Sequence, residues 1–107
     1  MNLDHIKNEV QKFNSDRNWS QFHSPKNLAM ALSVECSELL EIFQWMTELE
    51  SNQVKEDPLL KNRVSEEVAD VFLYLLQFSM KLEIDLEENV LKKIKKNAEK
   101  YPIEKIK

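Results

Sequence analysis

The most informative absence from this sequence is glycine, of which the 107 residues contain none. A soluble domain of this length would ordinarily carry about seven glycines. The glycine-rich phosphate loops of Walker A proteins and of dinucleotide-binding proteins are therefore excluded. Any nucleotide that this chain binds must be held by other means, and tight hairpins that need a positive φ are not expected.

Cysteine and long apolar runs are also scarce. The single Cys36 cannot form an intrachain disulfide, which fits a reducing cytoplasm. No stretch approaches the 18 consecutive apolar residues of a membrane span, and the first ten residues lack the apolar region of a secretory signal. We therefore expect a cytoplasmic protein without membrane contact, and its length predicts a single domain over residues 1–107.

The charge of the chain is unevenly distributed. The net charge is -4, but residues 35–90 hold fourteen acidic against four basic residues, a balance of -10. Residues 91–107 hold seven lysines against two glutamates, a balance of +5. An acidic centre beside a basic segment favours a metal site next to a bound anion. The acidic balance elsewhere argues against a nucleic-acid partner for the lysines.

Apolar spacing and capping residues predict helices in the first half of the chain. Apolar residues at helical spacing predict a first helix over residues 3–14, followed by a loop over residues 15–23. Ser24 and Pro25 are typical of an N-cap and a first helical position. The second helix is expected to run from there to residue 45 or 46.

The second half of the chain follows the same rules. Residues 47–56 are polar and are expected to form a connection. Asp57 and Pro58 then repeat the cap-and-proline start of a third helix, which should end near Leu82. Asp85 is expected to cap a fourth helix that Pro102 terminates.

Four helices joined by short connections predict an all-α fold, an antiparallel four-helix bundle. No segment alternates with the period of a strand. The second and third helices are the longest and most apolar, and they lack enough polar surface to be fully exposed. We therefore expect self-association, as a homodimer or homotetramer, to complete the bundle.

Two pairs of carboxylates interrupt the apolar stripes of the central helices. Glu35 and Glu38 lie on the second helix, and Glu67 and Asp70 lie on the third. Residues three apart on a helix point the same way, so each pair can direct two carboxylates to one place. Facing helices can then bring both pairs together.

Four converging carboxylates require a compensating charge, because burial of an unpaired carboxylate is costly. A ligand set of oxygens, without histidine or cysteine, favours Mg²⁺, with Mn²⁺ as the second candidate. Ferritin-like di-iron bundles need Glu-x-x-His on two helices. His5 and His23 both precede the carboxylate helices, so that class is excluded. Acid pairs are also common on solvated faces, and a binding module that holds a cation structurally remains an alternative.

At this point the chain resembles the MazG-like, all-α nucleoside triphosphate pyrophosphohydrolases, especially their small dCTP-pyrophosphatase branch. The resemblance covers residues 17–102 and rests on RNWSQFHSPKNLAMAL, SVECSELLEIFQW, SEEVADVFLYLL and KKNAEKYP. The order of Glu-x-x-Glu, a spacer and Glu-x-x-Asp is more specific than either half. The dCTP-preferring relatives can carry a histidine in the first helix where this chain has Val10.

The resemblance implies Mg²⁺-dependent cleavage of a nucleoside triphosphate between its α- and β-phosphates. It implies metal ligands at Glu35, Glu38, Glu67 and Asp70. It also implies substrate-binding residues in three segments, namely Trp19, His23, Asn27, Trp45, Lys93, Asn97, Lys100 and Tyr101. We assign Glu38 as the general base that activates the attacking water, since one glutamate of the four can contact water instead of a metal.

Overall fold

The computed structural model describes residues 1–103, and among these it contains five α-helices and no strand. Four long helices correspond to those that the sequence predicts, and a short one lies between the second and the third. The helices are α1 (Leu3–Asp16), α2 (Pro25–Phe43), α3 (Glu48–Asn52), α4 (Pro58–Lys81) and α5 (Leu86–Lys100). The predicted all-α class is confirmed.

The predicted helix starts are capped ends. The Ser24 hydroxyl accepts a hydrogen bond from the Asn27 N–H at 3.1 Å at the start of α2. The Asp57 carboxylate accepts one from the Leu59 N–H at 3.1 Å at the start of α4, and Asp85 caps α5 in the same way. Each cap satisfies N–H groups that a helix end leaves without an intrahelical partner.

Residues 47–56 differ from the predicted polar connection. They form α3 and a 3₁₀ turn (Val54–Glu56), and Val54 is buried. A complete capping box starts α3, with Thr47 and Glu50 each accepting from the other's backbone N–H. The prediction of a polar connection without a helix is therefore wrong. The Thr-x-x-Glu pattern of a capping box is visible in the sequence and indicates the start of α3.

The loop between α1 and α2 also contains local structure. Helix α1 continues to Asp16, two residues beyond its predicted end, and a 3₁₀ turn (Ser20–Phe22) precedes α2. Asn18 takes a φ of 55° in this loop, and Glu83 takes a φ of 54° between α4 and α5. Asparagine visits this region more readily than most residues. Because the sequence contains no glycine, Asn18 and Glu83 take the left-handed backbone conformations in which glycine is usually found.

Helices α2 and α4 form the main packing contact, and they run antiparallel. Leu28 near the start of α2 borders the same small cavity as Met80 near the end of α4. Phe43 at the end of α2 borders another with Val64 near the start of α4. Helix α1 packs on the second half of α4. This arrangement brings the middle of α2 opposite the first half of α4.

A single copy of the chain has a small core. The buried hydrophobic residues among those described are Leu28, Ile42, Val54 and Leu76. The accessible surface is 8953 Å², whereas a folded monomer of 12.7 kDa exposes about 6,200 Å². The radius of gyration is 17.4 Å, against about 13 Å for a globular domain of this length. The chain is therefore extended, with much apolar surface uncovered.

Some of this uncovered surface was predicted to be core. Val68 and Leu75 follow the apolar period of the third helix, which predicts that they are buried, but they are 51% and 37% exposed. Helix α5 is amphipathic, yet residues 87–100 are all exposed because it packs little against the other helices of its own chain. Among the described residues, no helix combines the length and the apolarity that a membrane span requires.

Candidate active site

An acidic cluster lies where α2 crosses α4, formed by Glu35, Glu38 and Glu67. One carboxylate oxygen of each residue lies within 4.8 Å of those of the other two. Glu35 falls two helical turns from both Leu28 and Ile42, so its side chain belongs to the buried line of α2. Glu67 is partly buried on α4, and the partly buried Val64 and Val71 lie one turn before and one turn after it. The predicted convergence of the two helices' carboxylates is present in the structure for these three residues.

Two oxygens of this cluster have no hydrogen-bond partner. The Oε2 atoms of Glu35 and Glu67 are both buried and unpartnered within residues 1–103. A buried carboxylate oxygen without a donor is destabilising, and two such oxygens in one cluster repel each other. The arrangement fits a cation, and a set of carboxylates suits a hard divalent ion such as Mg²⁺.

The proximity of these carboxylates changes their acidity. The pKa of Glu35 is raised from 4.5 to about 7 by a hydrogen bond with Glu38, by burial, and by the charges of neighbouring carboxylates. The pKa of Glu67 is raised first by burial and then by the charge of Glu38. Arg63 opposes this shift at Glu67 but does not cancel it. Without a cation, the cluster therefore retains a proton near neutral pH.

This proton predicts how the stability of the metal-free protein depends on pH. Because folding raises the pKa of Glu35, the folded state binds a proton more tightly than the unfolded state. The contribution of protonated Glu35 to the free energy of unfolding is fully present below pH 4.5 and is lost as pH rises through about 7. We expect the free energy of unfolding in chelator to fall by about 1–2 kcal/mol across this interval, allowing for solvent screening. Thermal unfolding at a series of pH values measures it.

Two variants serve as controls for this measurement. Glu35→Gln should flatten the pH dependence, because the amide does not titrate. Glu41→Gln, on the same helix but outside the cluster, should retain the wild-type slope. A melting temperature of the chelated wild-type protein that stays constant between pH 4.5 and 7.5 would contradict the prediction.

Asp70, the fourth predicted ligand, lies outside this mutually close set but next to it. Its charge raises the pKa of both Glu35 and Glu67. Asp70 also borders a cavity of about 540 Å³ between α1, the α1–α2 loop and α4. That volume is within the usual range of small-molecule sites. The acidic cluster and the cavity therefore form one continuous candidate site.

The cavity has an aromatic side and several polar groups. The Trp19 and Phe13 rings pack edge to face with centroids 5.4 Å apart, and the Arg17 guanidinium lies 3.7 Å above the Phe13 ring. Its lining residues are His5, Ile6, Glu9, Val10, Phe13, Asn14, Trp19, His23, Asp70, Leu73, Tyr74 and Gln77. Such a surface can stack on a planar base while its polar groups orient it.

Three of the predicted substrate-binding residues belong to this region. Trp19 and His23 line the cavity. The Asn27 side chain donates to the Phe22 carbonyl at 2.9 Å. Asn27 therefore stabilises the 3₁₀ turn that follows Trp19, and it does so from the first turn of α2.

The remaining predicted residues do not reach the cavity within one copy of the chain. Trp45 follows α2 and is 89% exposed. The residues on or after α5 are exposed too, with the Lys100 ammonium 5.3 Å from the Tyr101 ring. None of the predicted residues Trp45, Lys93, Asn97, Lys100 and Tyr101 lines the cavity.

Several cavity residues were not identified from the sequence. Val10 and Phe13 have the helical spacing of core residues, and Tyr74 lies within the most apolar part of α4. Asn14 and Gln77 are separated by 63 positions, so no local pattern relates them. Asn14 is the polar residue that follows the last apolar position of the predicted first helix, which was the only available signal.

Comparison with known proteins identifies the family to which these residues belong. Residues 30–107 match the sequence model of the MazG-like family, which is more than two thirds of the chain. The chain belongs to the MazG-like family. Both carboxylate pairs lie within the matched region.

Two curated relatives of this MazG-like chain are called dCTP pyrophosphatase 1. The protein from Mus musculus is 35% identical over 101 residues, and that from Homo sapiens is 37% identical over 100 residues. Each alignment covers 94% of this chain but only 59% of the relative. The chain thus spans about three fifths of the length of these relatives.

A solved structure gives a fuller match. A pyrophosphatase from Archaeoglobus fulgidus is 38% identical and superposes with a TM-score of 0.86. The match covers 96% of this chain and 94% of that protein. The arrangement of helices described above is therefore shared by a crystal structure of closely similar length.

Proposed function

We propose that this protein hydrolyses nucleoside triphosphates to the nucleoside monophosphate and pyrophosphate in a Mg²⁺-dependent reaction. The observation that carries the proposal is the cluster of Glu35, Glu38 and Glu67, which has two buried unpartnered oxygens. The neighbouring Asp70 borders a cavity of about 540 Å³. The names of the relatives support the same chemistry and favour dCTP or a modified deoxynucleotide. Such an activity would remove unwanted nucleotides from the cytoplasmic pool.

Mg²⁺ held by these carboxylates would neutralise the triphosphate and lower the pKa of a bound water. Glu35 and Glu67 are the partly buried members, each with one buried oxygen, and they would hold the cation. Asp70 would complete the set from the edge of the cavity. Mn²⁺ could replace Mg²⁺ with the same ligands. No serine or cysteine nucleophile is required.

Glu38 is the exposed member of the cluster and suits the role of general base. Its carboxylate would accept a proton from water as the water oxygen attacks the α-phosphorus. A bond forms between that oxygen and the α-phosphorus, and the bond to the oxygen bridging the α- and β-phosphorus breaks. The bridging oxygen leaves with pyrophosphate, and the monophosphate keeps the oxygen of water.

A second copy of the chain would supply what one copy lacks. The surface of one chain, 8953 Å², exceeds that of a globular monomer by about 2,700 Å². Covering this excess on two chains would bury about 5,400 Å² in total, at the upper end for obligate homodimers. The predicted phosphate-binding residues Lys93, Asn97 and Lys100 lie on α5, which packs little against its own chain. We therefore propose a homodimer or homotetramer whose α5 helices approach the acidic cluster of a neighbouring copy.

The decisive experiment is product analysis with a panel of canonical and modified deoxynucleoside triphosphates in Mg²⁺. We expect pyrophosphate and the monophosphate in equal amounts, with no turnover in chelator and recovery when Mg²⁺ is restored. Release of orthophosphate alone would exclude cleavage between the α- and β-phosphates.

A binding module with a structural cation is the second candidate, because acidic clusters also stabilise folds. It predicts a metal-dependent melting temperature without turnover of any nucleotide in the panel. Turnover with release of pyrophosphate would exclude it.

A further inference from the structure

The cavity contains a pair of side-chain amides that the proposed reaction does not use. Asn14 Nδ2 donates a hydrogen bond to Gln77 Oε1 at 2.8 Å, joining α1 to α4. Asn14 is only 9% exposed, and both residues line the cavity. A polar group buried to this extent is expected to use its hydrogen-bonding capacity.

The orientation of both amides is determined by a backbone carbonyl. Gln77 Nε2 donates to the Leu73 carbonyl oxygen at 3.1 Å. A carbonyl oxygen can only accept, so the nitrogen of the Gln77 amide must face it. Gln77 Oε1 is then directed to Asn14, and Asn14 must donate to it through Nδ2. Neither amide can rotate by 180° without placing two acceptors or two donors against each other.

This fixed orientation leaves specific atoms for a ligand. Within residues 1–103, Asn14 Oδ1 accepts no side-chain or capping hydrogen bond, and it is not among the fully buried unpartnered atoms. Asn14 Nδ2 retains a second hydrogen, because an amide nitrogen carries two and Gln77 takes one. The pair therefore offers an acceptor and a donor on one planar group.

We propose that the Asn14–Gln77 pair selects a nucleobase that has an exocyclic amine beside a ring nitrogen acceptor, as in cytosine. This inference rests on the proposed function, and it assigns the base selectivity of that same cavity. Asn14 Oδ1 accepts from the amine, and the free Nδ2 hydrogen donates to the ring nitrogen. Uracil and thymine present the opposite pattern, an acceptor beside a donor. They are rejected because Gln77 prevents Asn14 from turning over.

Aromatic packing places the base within reach of this amide. The Trp19 ring packs edge to face against Phe13, which precedes Asn14 in α1, and the Trp19 backbone N–H donates to the Asn14 backbone carbonyl oxygen at 2.9 Å. The Trp19 ring and the Asn14 amide are thus held to the same end of α1. A base stacked on Trp19 would present its edge towards the amide pair.

The test compares dCTP with dUTP, which differ only at the groups that Asn14 would contact. Asn14→Leu should lower kcat/KM for dCTP by about 10- to 100-fold and leave kcat/KM for dUTP within about threefold. Gln77→Met retains the shape of the side chain but releases Asn14 to rotate. It should raise kcat/KM for dUTP several-fold while that for dCTP falls. Asn8→Leu, an equivalent change on the exposed side of α1, should alter neither.

The expected rise in kcat/KM for dUTP in Gln77→Met distinguishes a role in base selectivity from a purely structural role. If the pair only ties α1 to α4, both variants will lower kcat/KM for dCTP and dUTP in parallel with a lower melting temperature. That parallel loss, or an unchanged dCTP/dUTP ratio in both variants, would overturn the proposal. Circular dichroism establishes that each variant is folded.

The inference can fail separately from the proposed function. If the wild-type protein turns over no nucleotide, the function is wrong, but binding of α,β-methylene dCTP and dUTP can still be measured by tryptophan fluorescence. Tighter binding of the dCTP analogue, lost in Asn14→Leu, would support the selectivity assignment alone. Equal binding of the two analogues by the wild-type protein would overturn it.

Discussion

Replacement of Glu38 by glutamine is expected to lower kcat by about 10²- to 10⁴-fold, the usual contribution of a general base. Glutamine keeps the shape of the side chain but cannot accept the proton of the attacking water. Glu38 is exposed while its neighbours in the cluster are partly buried, so the variant should fold normally. Steady-state release of pyrophosphate at saturating nucleotide measures the effect.

Titration with metal distinguishes a general base from a ligand. Glu35→Gln and Glu67→Gln remove ligands, so part of their lost activity should return as Mg²⁺ or Mn²⁺ is raised. Glu38→Gln should show a low kcat at every metal concentration. Glu41→Gln, on the same helix and outside the cluster, should retain wild-type kinetics.

Two results would contradict this assignment. A wild-type kcat in Glu38→Gln would exclude Glu38 as the base. Full recovery of Glu38→Gln by high metal would assign Glu38 to the ligands instead. In the second case Asp70, at the edge of the cavity, becomes the residue to examine as the base.

Much of the fold was predictable because its determinants are local. A cap residue and a proline that starts a helix act within four positions, so Ser24, Asp57 and Asp85 located the starts of α2, α4 and α5. The carboxylate pairs were predictable for the same reason, since the period of a helix places positions 35 and 67 on apolar stripes. The structure confirms that Glu35 and Glu67 are partly buried.

The errors have physical causes too. A polar sequence over residues 47–56 suggested a loop, but a capping box stabilises even a short helix when an apolar residue such as Val54 anchors the segment in the core. Val68 and Leu75 matched the apolar period of α4, yet a helix buries only the stripe that a neighbour covers. In one chain, α2 and α1 do not cover these two positions.

The cavity could not be predicted from the sequence. It depends on contacts such as Asn14 with Gln77, which lie 63 positions apart. Local periodicity reports which face of a helix is apolar but not which helix it meets. Phe13 therefore resembled a core residue, although in the structure its ring helps to form the aromatic side of the cavity.

The position of α5 leads to the second large effect, recovery of activity by mixing two inactive variants. If α5 of one copy approaches the acidic cluster of another, Glu38→Gln and Lys93→Ala/Lys100→Ala each damage a different half of every site. Co-expression in equal amounts makes half of the pairs mixed, and each mixed pair regains one intact site of two. We expect about a quarter of wild-type activity, measured as pyrophosphate release.

Three controls connect this recovery to assembly. Co-expression of Glu38→Gln with Glu35→Gln should recover nothing, since both lesions lie on the acidic side of the site. Ile94→Glu places a charge on the apolar face of α5, where Ile94 is 60% exposed, and should give monomers by light scattering and abolish recovery. Lys96→Glu changes charge on the exposed opposite side of the same helix and should preserve the oligomer. A wild-type protein that is monomeric at micromolar concentration and fully active would contradict a site shared between copies. One chain would then complete its own site, and α5 would have to fold back onto the acidic cluster of its own chain when nucleotide binds.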